Sequence, residues 1–269
     1  MNYYKYIVLF TFGLISLLFY IVINYKKHKE IFQICYDIVI VLVTDFVSCY
    51  FIFSEAKDIN YALIIYLIIY CICVLGIKVI VLLIVVKSKK TLVFNCYEKI
   101  HFLFASPDYA ITHIIKKTCG RDKDQAELIK TFNLVNLVLS VILALICFFI
   151  KNEILKNFII IRIVYRCIEI IFAFAKDITD KEKSSSLDSR ERIKLAILSL
   201  IEISALAYGF YKIQNITRSI PQKIIETLMF QDQMCFPIDT LIGITGLVLI
   251  GIVIVQYIDS KKGISDLIE

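Results

Sequence analysis

The feature that most constrains this chain is a set of unbroken apolar runs, each about 20 residues long. They fall at 4–25, 31–53, 61–86, 131–150, 158–175, 193–213 and 238–258. That is the length a helix needs to cross the hydrocarbon of a bilayer. Lipid offers no water to bond exposed N–H and C=O groups, so such a stretch must satisfy them internally as helix. A spanning barrel shows shorter segments of alternating polarity, and none occurs here. The pattern predicts an all-α, polytopic transmembrane bundle of about seven spans in contact with the lipid bilayer.

The chain is 59% hydrophobic, with a mean hydropathy of +0.78. Soluble domains average roughly 45–50% apolar. The net charge of +6 could mean nucleic acid on a soluble protein. Here the basic residues crowd at the ends of the apolar runs, which ties them to membrane orientation and lipid headgroups. One set of connections holds 20 Lys and Arg: Lys26, Lys27 and Lys29, nine in 87–130, six in 176–194, and Lys261 with Lys262. The other set holds seven: Lys5, Lys57, Lys151, Lys156, Lys212, Arg218 and Lys223. The asymmetry predicts a multi-pass protein of the cell membrane, with the N-terminus outside and the C-terminus cytoplasmic. Residues 7–23 are long for a signal peptide and lack a small-residue cleavage site, so a retained helix is expected.

The expected organisation is N-terminal transmembrane helices over 1–86 and a cytoplasmic helical or loop segment over 87–130. Transmembrane helices and a linker follow over 131–188, then a pore-like unit over 189–258 and a cytoplasmic tail over 259–269. Within 87–130, residues 92–104 fit an interfacial amphipathic helix or part of a short hairpin packed on the bundle. Pro107-Asp108 and Cys119-Gly-Arg-Asp122 read as turns. Asp188, with Glu191 three residues on, predicts a capping box opening the sixth span.

Several charges fall inside the runs: Asp37, Asp45, Lys78, Arg162, Arg166, Glu169 and Glu202. A charge at bilayer depth costs at least ~2.5–3.5 kcal/mol, so each is a candidate functional residue. Asp37 and Asp45 share nearly one helix face, and Arg162, Arg166 and Glu169 form one stripe. Pairs such as Asp45 with Lys78, or Arg166 with Glu202, could cancel much of the cost. Three readings stay open: packing pairs, a sensor built on the arginines, or an ion pathway along the aspartates.

The segment before the last run is the most informative connection. Pro221 and Pro237 bracket it, with Ile224, Ile225, Leu228, Met229 and Phe230 between them. A short apolar stretch between two spans fits a re-entrant helix over 222–236, and also an external amphipathic helix on the membrane surface. Gly243, Gly246 and Gly251 in the last run allow close packing or a bend.

Two stretches, Arg166-Cys-Ile-Glu-Ile-Ile-Phe-Ala-Phe-Ala-Lys-Asp177 and Arg192-Ile-Lys-Leu-Ala-Ile-Leu-Ser-Leu-Ile-Glu202, resemble the helix and linker that lead into the outer pore helix in bacterial ion channels of the potassium-channel pore-loop superfamily. Pro237 and the Gly-containing helix after it resemble the end of a pore loop and the inner helix. The resemblance covers about 162–258. It implies a homo-oligomeric pore. It departs at the filter, where glycine carbonyls of a Thr-Val-Gly-Tyr-Gly strand strip the ion's water. The corresponding place holds Gln231, Asp232, Gln233 and Met234, with no glycine between 214 and 237. Two outcomes stay open: Asp232, flanked by two amides, forms a carboxylate ring suited to poorly selective passage of monovalent cations, or the pore is dead and its architecture serves assembly, sensing or regulation.

The alternative expectation is a non-conducting scaffold or sensor acting through 87–130. His28, His101 and His113 show no metal-ligand spacing, and no hydrolase, zincin or phosphate-loop motif occurs. No enzyme activity, cofactor or metal is expected. Nine scattered cysteines, an odd number mostly inside apolar runs, read as reduced structural thiols.

Overall fold

A computed structural model describes residues 61–85, 106–119, 122–150, 152–179, 187–216, 219–228 and 237–265. The expected spans 4–25 and 31–53, with Asp37 and Asp45, lie outside the described residues. So do the 92–104 stretch and the filter candidates Gln231, Asp232 and Gln233. Among the described residues all regular structure is α-helical: α1 Tyr61–Val85, α2 Pro107–Cys119, α3 Asp122–Phe149, α4 Glu153–Thr179, α5 Ser189–Ile213, α6 Ile220–Leu228 and α7 Pro237–Ser265.

Three stretches are long and apolar enough to cross a membrane: Gln125–Phe149, Ser189–Ile213 and Pro237–Ile258. Their outward residues are apolar too. Leu134, Val138, Val141, Leu145 and Phe149 on α3 are exposed, as are Ile244, Leu247 and Ile254 on α7. Water would penalise an apolar surface of that extent, whereas lipid does not. α1 contributes a shorter apolar stretch, Ile68–Leu83. α4 is long enough to span, but it carries Lys156, Arg162, Arg166 and Glu169. Every residue from Ile159 to Ile170 is buried, so those charges need protein partners.

The chain divides into two compact units, one of residues 1–120 with 164–169, the other of 121–163 with 170–269. In the first, α2 packs on α1. Its start corrects the turn expected at Pro107-Asp108. Pro107 is the first helical residue, where its missing N–H costs nothing. Ser106 caps the helix: its Oγ accepts from Tyr109 N at 3.3 Å, and its carbonyl accepts from Ala110 N at 3.1 Å. α2 docks along the middle of α1, between Tyr70 and Lys78.

In the second unit α5 packs on both α3 and α7, and α6 packs on α7 and α5. Both ends of α5 are set locally. At its start Asp188 and Glu191 close the expected capping box: Asp188 Oδ1 accepts from Glu191 N at 2.6 Å, and Glu191 Oε2 accepts from Asp188 N at 3.2 Å. At its end Asn215 takes a left-handed φ of 54°. Ile216 N donates to Tyr211 O and Asn215 N to Lys212 O, each at 3.3 Å. This is a Schellman stop, with asparagine in glycine's usual place. At 25 residues, α5 is about 37 Å long by helical rise, enough to cross a bilayer.

α3 and α5 meet through Asn133, whose amide donates to Leu195 O at 3.0 Å and whose oxygen accepts from Ser199 Oγ at 3.3 Å. Gly209 permits the close approach at the other end. A Cβ there would lie 3.0 Å from Ile159 Cδ1 and 3.3 Å from Ala144 Cα.

Candidate functional site

The buried charges of the first unit converge on one ammonium. Lys78 Nζ, on α1, donates to Asp108 O at 2.7 Å and lies 3.6 Å from Asp108 Oδ1. It reaches Glu169 Oε1 at 3.4 Å and also bonds Thr112 Oγ1. Tyr70 donates its phenol to Asp108 Oδ2 at 2.5 Å. Thr112 donates to Glu169 Oε1 at 2.9 Å or to Asp108 O at 2.6 Å. Arg166 pairs with the other oxygen of Glu169. Among the described residues, two cations and two carboxylates share one buried cluster, and their formal charges cancel. Burying an ion costs several kcal/mol unless partners replace its water, and here each side chain has several.

In the second unit Arg162 donates to Asn136 Oδ1 at 2.9 Å and meets Glu202 Oε1 at 3.3 Å. Ser140 donates to the same carboxylate oxygen at 3.2 Å. The group ties α3, α4 and α5 together. The expected stripe therefore divides: Arg162 joins this group, while Arg166 and Glu169 belong to the Lys78 cluster. Arg166 finds its acid three residues along its own helix, and Glu202, the partner expected for it, meets Arg162 one turn earlier.

A second cluster surrounds the segment between the last two spans. Lys223, on α6, lies 3.3 Å from Asp239 Oδ2 in the first turn of α7. Tyr211, near the end of α5, donates to Asp239 Oδ1 at 2.7 Å, and its hydroxyl lies 3.1 Å from Thr227 Oγ1 on α6. The Lys223 ammonium also sits 5.9 Å from the centre of the Tyr211 ring. None of the four residues is more than 2% exposed. Lys223 and Lys156 were counted above as loop cations. Both are buried, so neither is an exposed loop cation.

Close packing completes this corner. A Cβ on Gly246 would lie 2.9 Å from Leu228 O and 3.0 Å from Leu228 Cδ2. Gly246 thus acts as the expected packing glycine, and Gly243 is buried. Around Gly251, a Cβ would meet no atom of the described residues within 4 Å.

Of the candidate residues, Lys78, Glu169 and Arg166 come together, as do Arg162 and Glu202. The sequence reading missed Asp108, Tyr70, Lys223, Asp239, Tyr211 and Thr227. One signal was available for Lys223. It shares a helix face with Ile224, Thr227 and Leu228, so it sits in the apolar stripe of α6 and not on its polar side. Among the described residues no three His, Cys, Asp or Glu side chains converge as a metal site. No protein-family model, curated protein or solved structure matches the chain.

Proposed function

We propose that this protein is a channel-like, multi-pass protein of the cell membrane. In this reading residues 189–258 form the pore unit of a homo-oligomer, α5 is the outer helix and α7 the inner helix. α6 is a re-entrant helix delivering Asp232 to a shared axis, where a ring of carboxylates passes monovalent cations with little selectivity.

The observation that carries the reading is the course of α6 along α7. Lys223 meets Asp239, at the start of α7. Leu228, the last residue of α6, lies against Gly246. Gly246 is nine residues beyond Pro237, about 14 Å along the axis by helical rise. The candidate span runs Pro237–Ile258. This course beside the candidate span supports re-entry of α6, since a helix resting on the headgroups would stay level with Pro237. Backbone leaving a short helix at that depth is tolerated where it lines a water-filled cavity. The charge asymmetry of the sequence supports the same topology, in which 214–237 lies on the outer side.

The test is reconstitution of the purified oligomer in planar bilayers with potassium and sodium salts. The reading expects cation current with weak discrimination between the two ions, reduced by Asp232→Asn. No current from well-folded oligomer, or anion current, would remove it.

A further inference from the structure

We infer that Lys223, Asp239, Tyr211 and Thr227 form a lock that sets the depth of α6 against α7. Its effect on conduction rests on the channel reading proposed above; its effect on the position of α6 rests only on that reading's placement of α6 in the bilayer.

Among the described residues, α6 has few other means of holding its place. Its nine residues make about two and a half turns, and isolated helices shorter than ~12–15 residues are marginal even in favourable sequences. Its buried apolar side chains are Ile224 and Leu228, while Ile225 is exposed. The polar contacts, in contrast, come from three helices. Asp239 receives Lys223 on one oxygen and the Tyr211 phenol on the other. Tyr211 in turn reaches Thr227, one turn beyond Lys223 on α6. The two bonds to α6 therefore sit one above the other and fix its tilt as well as its distance. Below them, Gly246 leaves room for the Leu228 carbonyl, which stops the descent.

The same side chains recur in the first unit. There Tyr70, Lys78, Asp108 and Thr112 hold the short helix α2 on α1. The aspartate now lies on the short helix and the lysine on the long one. Two independent examples with the roles exchanged point to one chemical solution for docking a short helix on a long apolar one. The ammonium and carboxylate have little water to return to, so separating the helices means separating buried charges.

The experiment uses the full chain in lipid nanodiscs, which expose both faces, with its nine cysteines replaced by alanine. Ile225→Cys is labelled with a membrane-impermeant maleimide, and exposed Asn152, changed to Cys, serves as the water-facing reference. The lock predicts that Ile225→Cys reacts at least about tenfold more slowly than the reference and that Lys223→Met or Asp239→Asn abolishes most of that protection, because each leaves one charge unpaired. Tyr211→Phe, which removes one hydroxyl and preserves the fold if the charge variants aggregate, gives an intermediate rate. Exchanging the pair as Lys223→Asp with Asp239→Lys restores protection, which a general loss of structure would not do. Rapid labelling in the parent, protection that survives both Lys223→Met and Tyr211→Phe, or a charge exchange that leaves Ile225→Cys exposed would overturn the lock. Cation current measured on the same variants should fall and return with protection. An absent current in a parent that shows the full labelling pattern removes the channel and leaves the lock standing.

Discussion

The two buried clusters use the same residue types to different degrees of redundancy. Among the described residues around Lys78, two carboxylates and a second cation share the charge, so Arg166 still pairs with Glu169 if the lysine is lost. Among the described residues, Asp239 pairs with Lys223 and accepts from Tyr211, whose hydroxyl also meets Thr227. The packing differs in the opposite sense. α6 reaches α7 through a glycine with no room to spare, whereas Gly76 on α1 is exposed, with no atom of the described residues within 4 Å of a Cβ. Among the described residues, α2 is held by a network with two cations and two carboxylates, and α6 by one ion pair and a tight steric fit against Gly246. The α6 corner is therefore the more sensitive of the two.

That contrast is broken most easily at the lysines. Lys223→Met should destabilise the chain by ~3–5 kcal/mol, the usual cost of orphaning one member of a buried pair, and Lys78→Met by clearly less. Thermal unfolding in nanodiscs, followed by circular dichroism, measures both. Equal losses would mean that the extra acid and cation around Lys78 provide no redundancy. Replacing both members, as Lys223→Met with Asp239→Leu, should recover most of the loss, because no charge is then left without a partner.

The glycines come next. Gly246→Leu should cost about 1–3 kcal/mol by overpacking against Leu228. Gly76→Ala should be neutral or slightly stabilising, since Ala favours helix over Gly by ~1 kcal/mol where there is space. The same unfolding assay checks both. A tolerated Gly246→Leu would show that α6 is not seated against α7.

The threonines reverse the order. Thr112 touches Lys78, Glu169 and the Asp108 carbonyl, while Thr227 has the Tyr211 hydroxyl. Thr112→Val should cost ~1–3 kcal/mol and Thr227→Val about 1 kcal/mol or less. Outside both clusters, Asp188→Ala removes the α5 cap, for about 1 kcal/mol. This local loss calibrates the scale, and it should leave labelling at Ile225→Cys unchanged.

Helical class was legible in the sequence because lipid admits few alternatives to helix in a 20-residue apolar run. The capping box was legible because its two residues lie three apart and bond each other. The charges in the runs, Lys78, Arg162, Arg166, Glu169 and Glu202, stood out against an apolar background, and all are buried. Their partners were harder to see. Only Arg166 and Glu169 are close enough in sequence for helical spacing to pair them. Lys78 and Asp108 are separated by a connection, and so are Lys223 and Asp239. Asp108 follows a proline, so it read as a turn, although a proline at the first helical position reads equally well as a start. Lys223 sits beside an apolar run, where basic residues are normally counted as loop charge. Its place in the apolar stripe of α6 was the contrary signal. The glycines of α7 look alike in sequence, and only packing separates Gly246, pressed on Leu228, from Gly251, which has space around it.

The depth of α6 carries the proposed function, and the sequence offers a direct way to measure it. The chain has no tryptophan, so a single Ile225→Trp gives fluorescence from α6 alone. In bilayers containing lipids brominated at different acyl positions, the account predicts blue-shifted emission, quenched by bromines on the acyl chain. Red-shifted emission, quenched by aqueous iodide and not by brominated lipid, would place α6 in water and contradict it.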